Sequence, residues 1–346
     1  SMKNKAGDLI SYLMIVLAGI ILMILLIGIT GNSISDALSG FIRGIAGSSY
    51  SVAEVFVKAT PLILTGLGVS VAFKSGFVNI GAEGQLYMGA VTITALALAF
   101  PNLPKGILMP LCLLGGFLAG GVWSLIPGIL KAKMGISEVI NTIMFNYIAL
   151  GIVGILLQTV LKDPNNYFPV SATLTDSAGL SILIPGTRLH SGILIAVICA
   201  ILIDILIFKT SLGFRLRAVG MNPRACLCSG ISVGKHIVIS SMISGGLAGI
   251  AGVCEIAGLH HKLIEGISPG YGYLAIIVAL LGGNNPFGVI LAAIGIATLQ
   301  VGSLSMQRAA NVPSAISSII LGAIVLMLMA RKTIFKKLID KKEEQG

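Results

Sequence analysis

Apolar residues run along this chain in blocks of about twenty, and the charges and most of the prolines collect in the short stretches between them. Twenty residues of helix rise about 30 Å, the thickness of a bilayer's hydrocarbon core. The pattern therefore predicts membrane-crossing helices rather than strands or amphipathic soluble helices. Ten can be drawn, at about 9–30, 51–73, 77–100, 106–130, 138–161, 191–208, 236–258, 271–283, 286–305 and 312–330. The eighth is too short to cross alone unless it is broken or tilted. The first follows Lys3 and Lys5 but exceeds the apolar core of about 7–15 residues found in a signal peptide, so it is expected to remain as a helix.

Composition agrees with this pattern. Hydrophobic residues make up 55% of the 346 and charged residues 10%, where a soluble domain carries about 25% charged residues. A net charge of +10 would suit nucleic acid, but its placement does not. Lys and Arg sit in the short loops, and with the N-terminus placed inside, sixteen fall on the inner side and six on the outer, Lys58 lying within a span. That asymmetry predicts a cytoplasmic-membrane protein with both termini cytoplasmic. Asp204, inside the sixth block, is expected to find a partner on a neighbouring helix. The five cysteines include a lone Cys226-Leu-Cys228 with no second pair and no histidine at ligand spacing, which does not make a zinc site. Gly230-Ile-Ser-Val-Gly-Lys-His236 imitates a phosphate loop but is one residue short between its glycines and has His where a magnesium-binding Ser or Thr belongs. No nucleophile–base set is recognisable, so the chain reads as a non-enzyme. Gly116 with Gly120, Gly245 with Gly249, and Gly246, Gly249 and Gly252 on neighbouring turns have the small-residue spacing that lets helix backbones approach in lipid.

The domain organisation is that of one polytopic unit, 1–346. Residues 162–190 form the longest outer loop, 209–235 a basic inner loop without an acidic residue, and 331–346 a basic inner tail suited to anionic headgroups. Three stretches are too polar or too broken for ordinary spans. Lys74-Ser-Gly-Phe-Val-Asn-Ile-Gly-Ala-Glu-Gly-Gln85 sets Asn79, Glu83 and Gln85 among glycines near the inner start of the third block. The residues fit either a cavity-lining break or a helix start in which Glu83 meets the positive end of the dipole. Gly266–Tyr273 and Ala279–Gly288, the latter carrying Asn284 and Asn285, flank the short eighth block, as a transport path or a packed re-entrant turn would require. Within 209–235, Asn222 is a good N-cap, Pro223 suits the first helical position and Gly230 suits C′, which predicts a two-turn helix outside the membrane. As residues alone, this loop is either a positive-inside loop or a docking element.

At these stretches the chain resembles the permease subunits of bacterial ABC importers for nucleosides and simple sugars, within the wider ribose and branched-chain amino acid permease family. The likeness runs from about Val52 to Met329 and is carried by Gly76-Phe-Val-Asn-Ile-Gly-Ala-Glu-Gly-Gln85, by Gly213-Phe-Arg-Leu-Arg-Ala-Val-Gly-Met-Asn-Pro-Arg-Ala225 with Gly230-Ile231, and by Tyr271 to Gly288. Cys226-Leu-Cys228 departs from the family's usual residues.

The resemblance implies an all-α membrane fold of the vitamin-B12-importer type, with about ten helices in two pseudo-symmetric halves. It implies that Arg217, Asn222, Pro223 and Arg224 serve coupling to a separate ATPase subunit. It also implies that Asn79, Glu83, Gln85, Asn284 and Asn285 serve the path or its gates. The expected partners are ABC ATPase subunits, a second permease chain (a paralogue), an extracytoplasmic solute-binding lipoprotein and membrane lipids, with no nucleic acid. This chain is expected to bind no cofactor itself, ATP and magnesium belonging to the ATPase. The alternative is an ion-coupled secondary transporter with Glu83 as carrier.

Overall fold

The computed structural model describes residues 18–19, 21–22, 24–29, 31, 33–313, 315–316, 318–319, 322–323 and 326–327. The first expected span, 9–30, and the last, 312–330, therefore lie largely outside the described residues, and the basic tail 331–346 lies wholly outside them. The described chain is helical. Its β structure is limited to two isolated bridges, Lys162 with Ser171 and Ile182 with His190.

In order the helices are α1 (Ile34–Ala46), α2 (Ser49–Lys74), α3 (Ala82–Ala99), α4 (Lys105–Met134), α5 (Glu138–Gln158), α6 (Gly192–Lys209), α7 (Ser211–Met221), α8 (Pro223–Cys228), α9 (Val233–Glu255), α10 (Tyr271–Leu281) and α11 (Pro286–Ala310). Among the described residues, six segments are long and apolar enough to cross a bilayer: Ser49–Lys74, Lys105–Met134, Glu138–Gln158, Gly192–Lys209, Val233–His260 and Pro286–Ala310. The sequence reading differs from the structure at the third block. The stretch from Ser75 to Gly81 is not helical, and α3 begins only at Ala82, because Gly76 takes a left-handed φ of 77° and Asn79 spends its side chain on the backbone that follows.

The chain divides into two compact units, Ser1–Val55 with Ile296–Gly346, and Phe56–Gly295. In the first, Ser33 caps α1 by accepting from the Asp36 amide at 3.2 Å. The small faces Gly40 and Gly44 sit against Ala309 and Ser305, and Ile27, Ala37, Met306, Val312 and Ile316 are buried together.

The second unit is built on α9. Gly245 and Gly249 meet Gly120 and Gly116 of α4 so closely that a Cβ on any of the four would overlap opposing backbone or side-chain atoms. On its α3 side, Gly249 meets Gly89, and Gly252 meets the Leu86 carbonyl. In lipid, where apolar attraction between helices is absent, such backbone contact supplies the dispersion energy of association. Gly135, at φ 66°, ends α4, and Lys131 in the last turn of α4 pairs with Glu138 at the start of α5 at 2.7 Å.

Between α5 and α6 the long segment folds onto the far end of α9. The helix continues there as a π-turn, Ile256–His260. The Leu180 amide donates to the Ala257 carbonyl at 2.8 Å, Leu174 to His261 at 2.8 Å and Ser171 to Leu263 at 3.0 Å. A one-turn 3₁₀ element at Asp176–Ala178 is the helical part of this segment. Asp204 has no hydrogen-bond or ion-pair partner among the described residues, contrary to expectation.

Candidate functional site

Asn79, Glu83 and Gln85 come together in the interior of the second unit, each less than 5% exposed. Asn79 and Gln85 form a reciprocal amide pair. Asn79 Nδ2 donates to Gln85 Oε1 at 2.8 Å, and Gln85 Nε2 donates back to Asn79 Oδ1 at 3.0 Å. Asn79 also donates to Ser244 Oγ of α9 at 2.8 Å and accepts from the Gly81 amide at 2.9 Å. One side chain thus ties the non-helical stretch to the first turn of α3 and to α9.

Depth follows from that contact. Ser244 lies eleven residues after Val233 and eleven before Glu255, about 16 Å from either end of α9 at 1.5 Å per residue. The motif therefore meets α9 at mid-length, deeper than its expected place near the start of a span. Irregular backbone at such depth is tolerated only where protein encloses it, and here α5 closes it. Asn146 accepts from the Gly84 amide at 2.8 Å and donates to the Ile80 carbonyl at 2.9 Å, while Thr142 accepts from the Ile80 amide at 3.3 Å.

Glu83 joins this break to the second-half motif. Its Oε2 accepts from the Gly272 amide in the first turn of α10 at 2.7 Å, and Ser268 and Gly270 also face the carboxylate. Gly270, which precedes α10, takes a φ of 92° and supplies no side-chain cap. Glu83 therefore serves as the acid at the N-terminus of another helix, where unpaired amides and the dipole both favour it. The approach is close: a Cβ on Gly272 would overlap the Glu83 backbone. The short eighth block is explained by this arrangement, since α10 begins beside α3 at mid-depth. Tyr271, buried here, accepts from Lys58 Nζ at 3.0 Å, and Tyr273 accepts from Asn146 at 3.3 Å.

Asn284 and Asn285 do not join this cluster. They form the turn at the other end of α10. Asn284 is left-handed at φ 53°, and Asn285 caps α11 by accepting from the Phe287 amide at 3.1 Å.

The expected two-turn helix is α8. Asn222 Oδ1 accepts from the Ala225 amide at 3.1 Å, Pro223 opens the helix, and Gly230 follows at φ 75°. Arg224 is exposed. Arg217 is not on α8 but on α7, where its guanidinium stands 5.3 Å from the Phe208 ring centre. The end of α7 rests on the start of the first motif, because Gly220 lies against the Lys74 carbonyl and Gly76. Ser75, between those two residues, bonds to Ser240 of α9. Residues 230–236 form no phosphate loop: Ser232 caps α9 there, accepting from the Lys235 amide at 3.4 Å.

Sequence reasoning did not single out Thr142, Asn146 or Ser244. The available signal was an amide such as Asn146 alone in an apolar span, which needs a partner. Among the described residues no group of three or more His, Cys, Asp or Glu is placed to hold a metal ion.

The family model for the permease component of branched-chain amino acid transport systems matches residues 51–329. The chain is 39% identical to the guanosine ABC transporter permease protein of Bacillus subtilis, over 100% of this chain and 99% of that one. It is 36% identical to the glucose ABC transporter permease protein of Haloferax volcanii, over 82% and 77%. It is 30% identical to a second guanosine ABC transporter permease protein of Bacillus subtilis, over 71% and 79%. No solved structure matches the chain.

Proposed function

The chain belongs to the branched-chain amino acid transport system permease family, and from that membership we propose that it forms half of the translocation path of an ATP-driven importer whose solute is a nucleoside. The guanosine permease, similar over the whole length of both chains, supports a nucleoside ahead of a simple sugar. A second guanosine permease in the same organism supports pairing with a paralogue. Two ATPase subunits would bind ATP and magnesium and supply the work, and a lipid-anchored binding protein would deliver solute from outside. The finer architecture belongs to the same reading. It has about ten membrane segments, α3 and α10 acting as interrupted ones, in a B12-importer-like arrangement with both termini cytoplasmic.

The observation that carries the reading is an unbroken series of contacts from α8 to the buried break. α8 follows α7, α7 touches Lys74 and Gly76, Ser75 bonds to Ser240, Asn79 to Ser244 and Gln85, and Glu83 to α10. In this reading α8 seats in a groove of the ATPase. Asn222 and Pro223 hold its shape, Arg224 meets the partner, and Arg217 positions α7 beneath it. Displacement of α7–α8 would then reach the place where α3 and α10 start. The two asparagines at 284 and 285 would act on the gates by holding the turn after α10.

Purification of the native complex tests this directly. A co-purifying ATPase and uptake of guanosine that follows ATP are expected. Uptake abolished by an ionophore at constant ATP, with no ATPase present, would sink the proposal and favour ion coupling through Glu83.

A further inference from the structure

We propose that Lys74 and Arg217 hold the phosphate of an anionic phospholipid at the Lys209 end of α6. The outward side of α6 is an apolar track, with Leu194, Ile198, Leu202 and Ile205 exposed, and it finishes at Phe208, 36% exposed. Two cations attend that one ring: Lys74 Nζ lies 5.6 Å and Arg217 Cζ 5.3 Å from its centre. The ring face attracts each of them, but they repel one another. Neither forms an ion pair among the described residues. Arg217 Nε is in addition a buried donor with no acceptor among the described residues.

The surrounding chain does not neutralise these charges. Asp204, one turn earlier on α6, pairs with neither, and there is no Asp or Glu from Ile205 to Cys254, whereas Lys209 and Arg215 are exposed nearby. Two cations on one ring and an unpaired donor beside them are complementary to an anion, and the setting says which one. Acyl chains lying along α6 would place a headgroup at Phe208. Beyond it α7 exposes Phe214 (61%) and Met221 (86%), as a helix at the membrane–water boundary does. An acidic segment of a soluble partner would meet a less greasy approach. Basic sites between helices at the membrane boundary are suited to phospholipid headgroups, each cation contributing about 1 kcal/mol. This site requires only that α6 spans the bilayer, so it stands apart from the choice of solute or of ATPase.

The test uses the full complex reconstituted in vesicles of phosphatidylcholine alone or with phosphatidylglycerol, followed by mild detergent extraction and mass spectrometry of retained lipid. Wild type is expected to retain phosphatidylglycerol selectively. Each cation replaced by Gln, in Lys74→Gln and Arg217→Gln, should weaken retention about fivefold, the equivalent of about 1 kcal/mol. Arg215→Gln and the charge-keeping pair Lys74→Arg with Arg217→Lys should retain it. Should the Gln variants fail to fold, the wild-type arms still decide. A thermal transition raised by phosphatidylglycerol supports the site, and one raised equally by inorganic phosphate in phosphatidylcholine overturns it. Undiminished retention in a folded double variant also overturns it, as does protection of Lys74 from amine labelling by the ATPase alone.

Discussion

Glu83 is held by backbone amides and Ser268 with no counter-charge among the described residues, and its importance follows from how few alternatives those amides have. Replacement by Ala leaves the Gly272 amide buried without an acceptor and removes the cap of α10, a loss of about 1–3 kcal/mol. Glu83→Gln keeps one acceptor and is expected to lose less. Thermal unfolding of the detergent-solubilised variants should rank them wild type, Gln, Ala, and equal midpoints for all three would contradict the assignment. His190 provides a pH readout at the same scale. Its Nδ1 accepts from the Gly192 amide at 3.1 Å, its Nε2 is buried without a partner among the described residues, and its ring lies against Gly258. Burial, and then the neighbouring His261, push the imidazole down from its ordinary 6.5 to about 4. The unfolded chain thus takes up a proton that the folded chain refuses, so stability falls as pH drops from 6.5 toward 4, by about 3 kcal/mol at most. Unfolding midpoints measured across that window should slope for wild type and flatten in His190→Gln.

At the scale of elements, α8 separates shape from contact. Asn222→Ala removes one cap bond and should cost the segment about 0.5–2 kcal/mol, visible as faster hydrogen exchange at residues 223–228. Arg224→Ala leaves the helix intact and is expected to lower solute-stimulated ATP hydrolysis by the assembled complex. Unchanged stimulation would exclude Arg224 from the interface. This helix was legible in the sequence because every instruction for it is local: a cap, a proline and a glycine within nine positions. α7, just before it, was read only as a run of charge, although Thr210 marks its start by accepting from the Gly213 amide at 3.1 Å. The polar break was legible as a break, from its glycines and its three polar side chains. Its depth was not, because depth depends on Ser244 and Gly272, far along the chain, and nothing near Asn79 encodes which turn of α9 it will meet. The lone Asp204 shows the opposite failure, since a rule requiring a partner within the fold found none among the described residues.

For the whole molecule, the small-residue spacings proved the most transferable signal, since Gly116, Gly120, Gly245 and Gly249 do face one another. Gly249→Ala would drive a methyl group into the backbone of α4, at Gly116 and near Gly120, and overpacking of that kind costs about 1–3 kcal/mol or more. Its expression in folded form should drop well below that of Ala at Gly151, where the added carbon meets open space.

The glycine seam also decides what kind of machine this can be. At its facing glycines α9 meets α4 and α3 main chain to main chain, which leaves these rods little slack to slide or splay there. Whatever swings during a cycle of uptake, α9 is expected to carry α3 and α4 with it, and the give to be found where the packing is made of longer side chains.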